Sequence, residues 1–365
     1  MGERIAIVLF NLGGPDRPEA IKPFLKNLFT DKAILRVPWF VRPWLARIIA
    51  ATRVKQATIN YGYIGGKSPL LELTRAQAEA LEQALPEFDA KCFIAMRYWH
   101  PFSAQTAREV AAWKPDRVLL VPLYPHYSTT TTGSSLEAWR DAASAAGLAA
   151  PVTSLCCWPD EGAYAAATAA LLRREMAQAR KIYPGRKLRV LFSAHGLPEI
   201  IVKQGDPYQW QIELSVAAVV RELNEPELDW QICYQSRATP QKWLDPSIEH
   251  AIEQAGRDQA GVVVVPIAFV SEHSETLVEL DREYGELAVE KSLPFFVRVP
   301  AQNSDPGFIA ALAGIVRGLL GRGHGLFSVT GSRICPSKSK DCPMRQGGDH
   351  VKQVHKKEDS RKHLF

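Results

Sequence analysis

Short apolar stretches rich in β-branched residues recur along the chain, at 4–11, 91–97, 117–123, 152–156, 188–194, 230–235, 262–268 and 294–299. Segments with helical spacing lie between most of them, at 71–85, 104–113, 160–181, 208–223 and 246–255. Strands that read as continuous apolar runs are buried on both faces, so the alternation predicts parallel sheets covered by helices. The runs divide four and four around residue 150, and the third of each set is similar: Val118–Tyr124 and Val263–Phe269 both pass through Val-Pro. That hints at an internal duplication. The expected fold class is α/β, with two similar Rossmann-like lobes, each a four-stranded parallel sheet flanked by helices, and a cleft between them. The expected divisions are 1–150, 151–325 and a C-terminal extension with a charged tail at 326–365.

Composition changes this picture little. At 365 residues, two lobes are the default, and 46% apolar with 23% charged residues is ordinary for a globular protein. The net charge of +5 is spread through a mixture of 44 basic and 39 acidic residues, which gives no reason to expect nucleic acid as a partner. The apolar N-terminal run is too short for a signal peptide and reads as a buried first strand. No apolar run approaches membrane-spanning length, so a cytoplasmic location is expected and the six cysteines are not a disulfide framework by default. Segment 34–53 stands apart, because Trp39, Phe40, Trp44 and Leu45 alternate with arginines around two helix-breaking prolines. It reads equally as an exposed lip on a membrane surface, with arginines at the head groups, or as core packing.

Chemistry concentrates at two places. His195 follows the run Leu188–Ala194, where a parallel strand delivers a side chain into a crevice. The run 262–268 leads into Glu272, His273, Glu275, Glu279 and Glu283. At about 100° per residue the four glutamates fall within an arc of about 80°. With no lysine among them, like charges on one face destabilise a helix, so a solvated salt-bridged face explains them poorly. Crowded carboxylates retain protons and attract divalent cations, and a neutral imidazole opposite them accepts a proton near pH 7 or ligates a metal. A third segment, Tyr124–Ser135, is dense in hydroxyls and suits a carboxylate or phosphate at a helix N-terminus.

These residues resemble the ferrochelatase family, which inserts Fe²⁺ into a porphyrin late in haem synthesis. The likeness runs in order from about residue 5 to about residue 320, through Asn11–Pro15, Tyr63–Leu70, Arg97–Pro101, Tyr124–Ser128, Ser193–Pro198, Gly205–Tyr208, Gln235-Ser236 and Glu272–Leu277. It implies that His195 and Glu275 face each other across the macrocycle as catalytic groups that meet the Fe²⁺ substrate, and that Glu272, His273, Glu279 and Glu283 form a proton or metal path. It implies further that Arg97, Tyr98, Tyr124, Ser128, Thr130 and Trp158 line the porphyrin cleft or the iron approach, and that Trp39, Phe40, Trp44 and Leu45 form a lip peripheral to the inner membrane face. Protoporphyrin is the expected substrate. Coproporphyrin, or a non-catalytic porphyrin- or haem-binding protein, are the alternatives, and a homodimer is left open.

The pattern departs from the family in places. Gly62 and Tyr63 stand where the animal enzymes have arginines, so the porphyrin carboxylates are anchored differently. Cys92 and Cys233 lie alone in strands, whereas Cys156, Cys157, Cys335 and Cys342 form a candidate set of four for a 2Fe-2S cluster or a zinc ion. The animal internal cysteine position is Thr129 here, so Cys156 or Cys157 would have to substitute. Such a cluster is expected to be structural and far from the porphyrin.

Overall fold

The computed structural model describes residues 2–237 and 241–344, and the charged tail at 346–365 lies outside the described residues. Among the described residues nine strands form: β1 Arg4–Asn11, β2 Asp89–Met96, β3 Arg117–Pro122, β4 Val152–Leu155, β5 Lys187–His195, β6 Asp229–Gln235, β7 Ala260–Pro266, β8 Phe296–Arg298 and β9 Gly325–Phe327. They pair in parallel into a five-stranded sheet, β2-β1-β3-β4-β9, and a four-stranded sheet, β6-β5-β7-β8. The first four strands of each sheet share one topology, 2-1-3-4, and the two similar runs occupy its third place as β3 and β7. This is the doubly wound flavodoxin-like order rather than the Rossmann one, and its ligand crevice lies beyond the carboxyl ends of the first and third strands.

The lobes do not follow the linear division expected from the sequence. β4 belongs to the first sheet although it lies beyond residue 150, and β9 returns from the extension to make that sheet five-stranded. The helix Pro306–Leu320 also returns. Its Phe308, Leu312, Ile315 and Val316 are buried with Ile5, Leu119, Leu155 and Trp158 of the first lobe. A one-sided sheet exposes a continuous apolar surface, and this C-terminal helix is what covers it. Tyr164 reaches between lobes as well, donating from its hydroxyl to the Ile267 carbonyl at 2.9 Å.

Segment 34–53 corrects the expectation that its prolines break a helix. Pro43 sits in the first turn of the helix Arg42–Gly62, where a missing N–H removes no intrahelical bond. Trp39, Phe40, Trp44 and Ile48 are 79%, 62%, 67% and 59% exposed, so the core-packing reading fails for them, while Leu45 is half-buried.

Candidate active site

β5 ends at His195 and β7 ends at Pro266, so the crevice between them is bounded by the histidine on one side and the segment after Pro266 on the other. Only glycine fits after His195: a Cβ on Gly196 would stand 2.7 Å from the Gln235 carbonyl oxygen, to which the Gly196 N–H donates. The Tyr208 hydroxyl fixes the histidine backbone by donating to its carbonyl at 3.1 Å.

The acidic segment is not an α-helix. Glu275–Glu283 forms a nine-residue π-helix, continued by the α-helix Tyr284–Glu290. Such i→i+5 turns are uncommon and are found frequently at functional sites. Glu275 places Oε2 2.8 Å from His195 Nδ1. The two side chains are 24% and 38% exposed, so the pair is part-buried with an edge open to the crevice. With Nδ1 engaged, Nε2 is the histidine nitrogen left for a ligand.

Burial disfavours the imidazolium, but the charge and hydrogen bond of Glu275, together with the charge of Glu279, raise His195 to about 8. Burial likewise opposes ionisation of Glu275, yet the field and hydrogen bond of His195 prevail and hold it at about 2. The resulting ion pair stabilises the fold fully between the ordinary values of about 4.5 and 6.5. Its carboxylate share is lost as pH falls through about 2 and its imidazolium share as pH rises through about 8.

Glu279 answers differently to similar surroundings. Burial and the neighbouring Glu275 charge push it up to about 7, although Ser236 and Gln235 donate to its Oε2 at 2.6 and 3.0 Å. Gln235 also accepts from Ser193 of β5 at 2.8 Å and donates to the Glu275 carbonyl at 3.3 Å, tying the strand to the π-helix. His273 is buried and kept neutral by that burial. Its Nδ1 faces the Ser271 carbonyl at 3.1 Å, which leaves Nε2 4.0 Å from Glu275. Tyr61, hydrogen-bonded to Ser274, enters from the first lobe with its phenol pushed up to about 12 by burial.

Other expected residues have different surroundings. Glu272 lies before the π-helix and is turned away from the pair: Arg298 Nη1 donates to its two oxygens at 2.8 and 3.1 Å, and the Ala301 N–H at 2.9 Å. It therefore does not share the face of the other glutamates. Glu283 is exposed and accepts from Asn60 at 3.0 Å. Trp158 is wholly buried in the first lobe's core against Tyr164, donating to the Pro122 carbonyl at 2.9 Å, and is no cleft wall. Tyr98 is equally buried, its hydroxyl on Asp31 at 2.9 Å, and Arg97 binds the same carboxylate at 2.8 Å. Tyr124 is half-buried, its phenol pushed up by burial, and its hydroxyl has no hydrogen-bond partner among the described residues.

The hydroxyl loop does hold a carboxylate, but it is the chain's own. Asp206 of the second lobe accepts from Ser128 Oγ, Thr129 N and Thr129 Oγ1 at 3.0, 2.8 and 2.8 Å, and Ser128 bonds Thr130 at 2.8 Å. The loop thus latches the lobes together.

The four grouped cysteines converge although they come from two distant segments. Cys156, Cys157, Cys335 and Cys342 are buried in one cluster with Tyr127 and Met344. Cys156 and Cys157 have their sulfurs 3.4 Å apart, and Gln211 donates to Cys335 at 3.2 Å. Four thiols in one buried site are the donor type that a 2Fe-2S cluster takes. Cys156 and Cys157 nonetheless bond one another, and among the described residues no group of three or more His, Cys, Asp or Glu side chains is set around a common metal position.

Among solved structures, SirB from Bacillus subtilis with Fe³⁺ shares the fold at a TM-score of 0.51 and 12% identity, covering 88% of this chain and 99% of its own. Two parallel sheets of one topology, with an imidazole–carboxylate pair at the strand ends of the second, thus define an α/β protein of the fold shared with SirB. The ferrochelatase family model matches residues 4–319. The Caulobacter vibrioides ferrochelatase is 49% identical over 351 residues, covering 95% of this chain and 99% of its own length. That of Rickettsia bellii is 45% identical over 358 residues, covering 94% and 98%. The chain belongs to the ferrochelatase family.

The two proton-holding groups set a pH dependence. The metal-insertion rate is expected to rise as pH passes through about 7 and then about 8, where Glu279 and then His195 lose their protons. A rate at saturating porphyrin that is flat from about pH 6 to about pH 9 contradicts this assignment.

Proposed function

We propose that the protein inserts Fe²⁺ into protoporphyrin at the His195–Glu275 pair, giving protohaem. Metal insertion into a porphyrin follows from the family. The choice of protoporphyrin and the residue roles are the present reading. The carrying observation is the 2.8 Å contact of His195 with Glu275 at the strand-end crevice, backed by a part-buried carboxyl near neutrality at Glu279.

A free-base porphyrin loses two N–H protons as the dication enters, and each must reach a base. A base works best when its pKa lies near the operating pH. Glu279, at about 7, meets that condition, whereas His195 is already protonated at neutral pH. An arriving Fe²⁺ repels the imidazolium proton and favours the ionised forms of His195 and Glu275, so both groups become ligands or bases as the metal approaches. Neutral His273 and the phenol of Tyr61 border the pair without adding charge. Purified protein supplied with Fe²⁺ or Zn²⁺ should consume protoporphyrin faster than coproporphyrin, followed by loss of free-base fluorescence. His195→Ala should lose at least about a hundredfold in turnover with porphyrin quenching retained. Equal turnover of the two porphyrins removes the substrate assignment, and wild-type turnover in His195→Ala removes the histidine.

The exposed aromatics support protoporphyrin, which is apolar and barely soluble. Trp39, Phe40, Trp44 and Ile48 present a patch beside arginines, with Arg47 5.5 Å above the Trp44 ring. Exposed apolar patches rimmed by cations suit an anionic membrane surface. No helix among the described residues is long and apolar enough to cross a membrane, so peripheral contact is the form proposed. Co-sedimentation with anionic liposomes should fall severalfold in a Trp39→Ser, Trp44→Ser double variant. Equal partitioning of the two proteins would leave the patch without this role.

A 2Fe-2S cluster on Cys156, Cys157, Cys335 and Cys342 is the reading favoured for the converging thiols. When bound it would fix the extension to the core, and no step of metal insertion is routed through it. Protein purified anaerobically should be reddish, with iron and acid-labile sulfide each near about two per chain. A colourless, iron-free and fully active preparation refutes the cluster, and about one zinc per chain reassigns the site.

A further inference from the structure

Glu279 has two oxygens with different company. Oε2 accepts from Ser236 and Gln235, which hold it toward the pair. Oε1 lies 3.0 Å from the Tyr284 hydroxyl, and that hydroxyl lies 3.2 Å from Glu249 Oε1. A phenol has one proton and two carboxylates flank it. If both were ionised, one contact would set an oxygen lone pair against a negative charge. The trio is fully bonded only when one of the two carboxyl groups is protonated, with the phenol donating to the other. The arrangement therefore stores one proton beyond the phenol's own, on either side of it.

Burial and the charges of Glu279 and Glu249 keep the Tyr284 phenol far above its ordinary value, so it stays an O–H and never stands as a phenolate. The ring itself is 6% exposed and packed with Ile248, Ile252 and Leu280, which holds the hydroxyl in place. Glu249 is half-buried in the first turn of the helix Ile248–Arg257, capped by Ser247. Its partial exposure puts water beside it, so a proton delivered to Glu249 has solvent to pass to. Glu283, the next glutamate along the π-helix, instead engages Asn60 at the surface.

We propose that protons released from the porphyrin leave through Tyr284 and Glu249, beneath the π-helix, rather than along its row of glutamates. In the step, the protonated Glu279 carboxyl gives its proton to the Tyr284 oxygen as the Tyr284 O–H proton moves to Glu249. One O–H bond breaks and one forms at the phenol, Glu279 returns to a carboxylate, and Glu249 becomes a carboxylic acid that releases the proton to solvent. Release of the proton from Glu249 to solvent and rotation of the hydroxyl away from Glu279, back toward Glu249, reset the path. Tyr284 and Glu249 reach the His195–Glu275 pair only through Glu279, so they act on the rate of proton removal and not on substrate affinity. This path rests on the metal-insertion reading given above.

The test uses the full-length protein, Zn²⁺ and protoporphyrin, with Tyr284→Phe, Glu249→Gln and Glu283→Gln compared in steady state. Tyr284→Phe keeps the buried ring and removes only the relay proton. Both Tyr284→Phe and Glu249→Gln should lower kcat at least about fivefold, leave the porphyrin KM within about twofold, and enlarge the solvent deuterium isotope effect. Their double variant should be no slower than the slower single one, since both interrupt one chain. Imidazole buffer should restore part of the rate of Glu249→Gln, an effect that a merely structural loss would not show. Wild-type kcat and isotope effect in both variants, or a slowing confined to Glu283→Gln, overturns the path and leaves the function standing. A wild-type protein that metallates neither porphyrin overturns the function and the path together.

Discussion

The contact on which the site depends is the hydrogen-bonded ion pair of His195 and Glu275, made between a strand end and the first residue of a π-helix. Its partners come from elements with no local reason to meet. β5 and β7 are neighbours in the sheet, so the end of one and the segment after the other share a crevice. Gly196, Tyr208 and Gln235 then limit where the two side chains can go. A part-buried pair is costly unless geometry and hydrogen bonds are good, and here the surrounding donors supply that geometry.

The four glutamates show how environment assigns roles to one residue type. Glu272 is neutralised by Arg298, Glu275 by His195, and Glu283 sits at the surface against Asn60. Glu279 is part-buried beside the Glu275 carboxylate with no cation on it, and it is raised toward neutrality. That is the property a proton acceptor needs when a porphyrin gives up two protons near pH 7. The same low-dielectric surroundings that raise Glu279 hold the Tyr284 phenol in its protonated form.

Much of this was legible in the sequence. Apolar runs of strand length marked eight of the nine strands, because parallel strands buried on both faces leave an unmistakable trace. The Val-Pro pairs correctly marked equivalent strands, and the histidine at a strand end marked the crevice. What escaped was set by tertiary structure. β9 is three residues long and carries no pattern of its own, and the helix Pro306–Leu320 reads alike whichever lobe it covers. Spacing of four fits an α-helix and a π-helix equally, so the sequence placed Glu272 on a face it does not share. Tyr61, Asp206 and Tyr284 were missed as members of the site or its supports, since their role comes from partners 60 or more positions distant or from a phenol's position between two carboxylates. For Tyr284 a signal existed, an aromatic hydroxyl directly after the acidic run.

The central claim is that His195 and Glu275 form a charge-coupled pair, and side-chain NMR titration of the His195 imidazole in wild type and in Glu275→Gln tests it most directly. The account predicts a wild-type value of about 8 that falls to the ordinary histidine value of about 6.5 or below once the carboxylate is gone. An imidazole that titrates at its ordinary value in both proteins would contradict it.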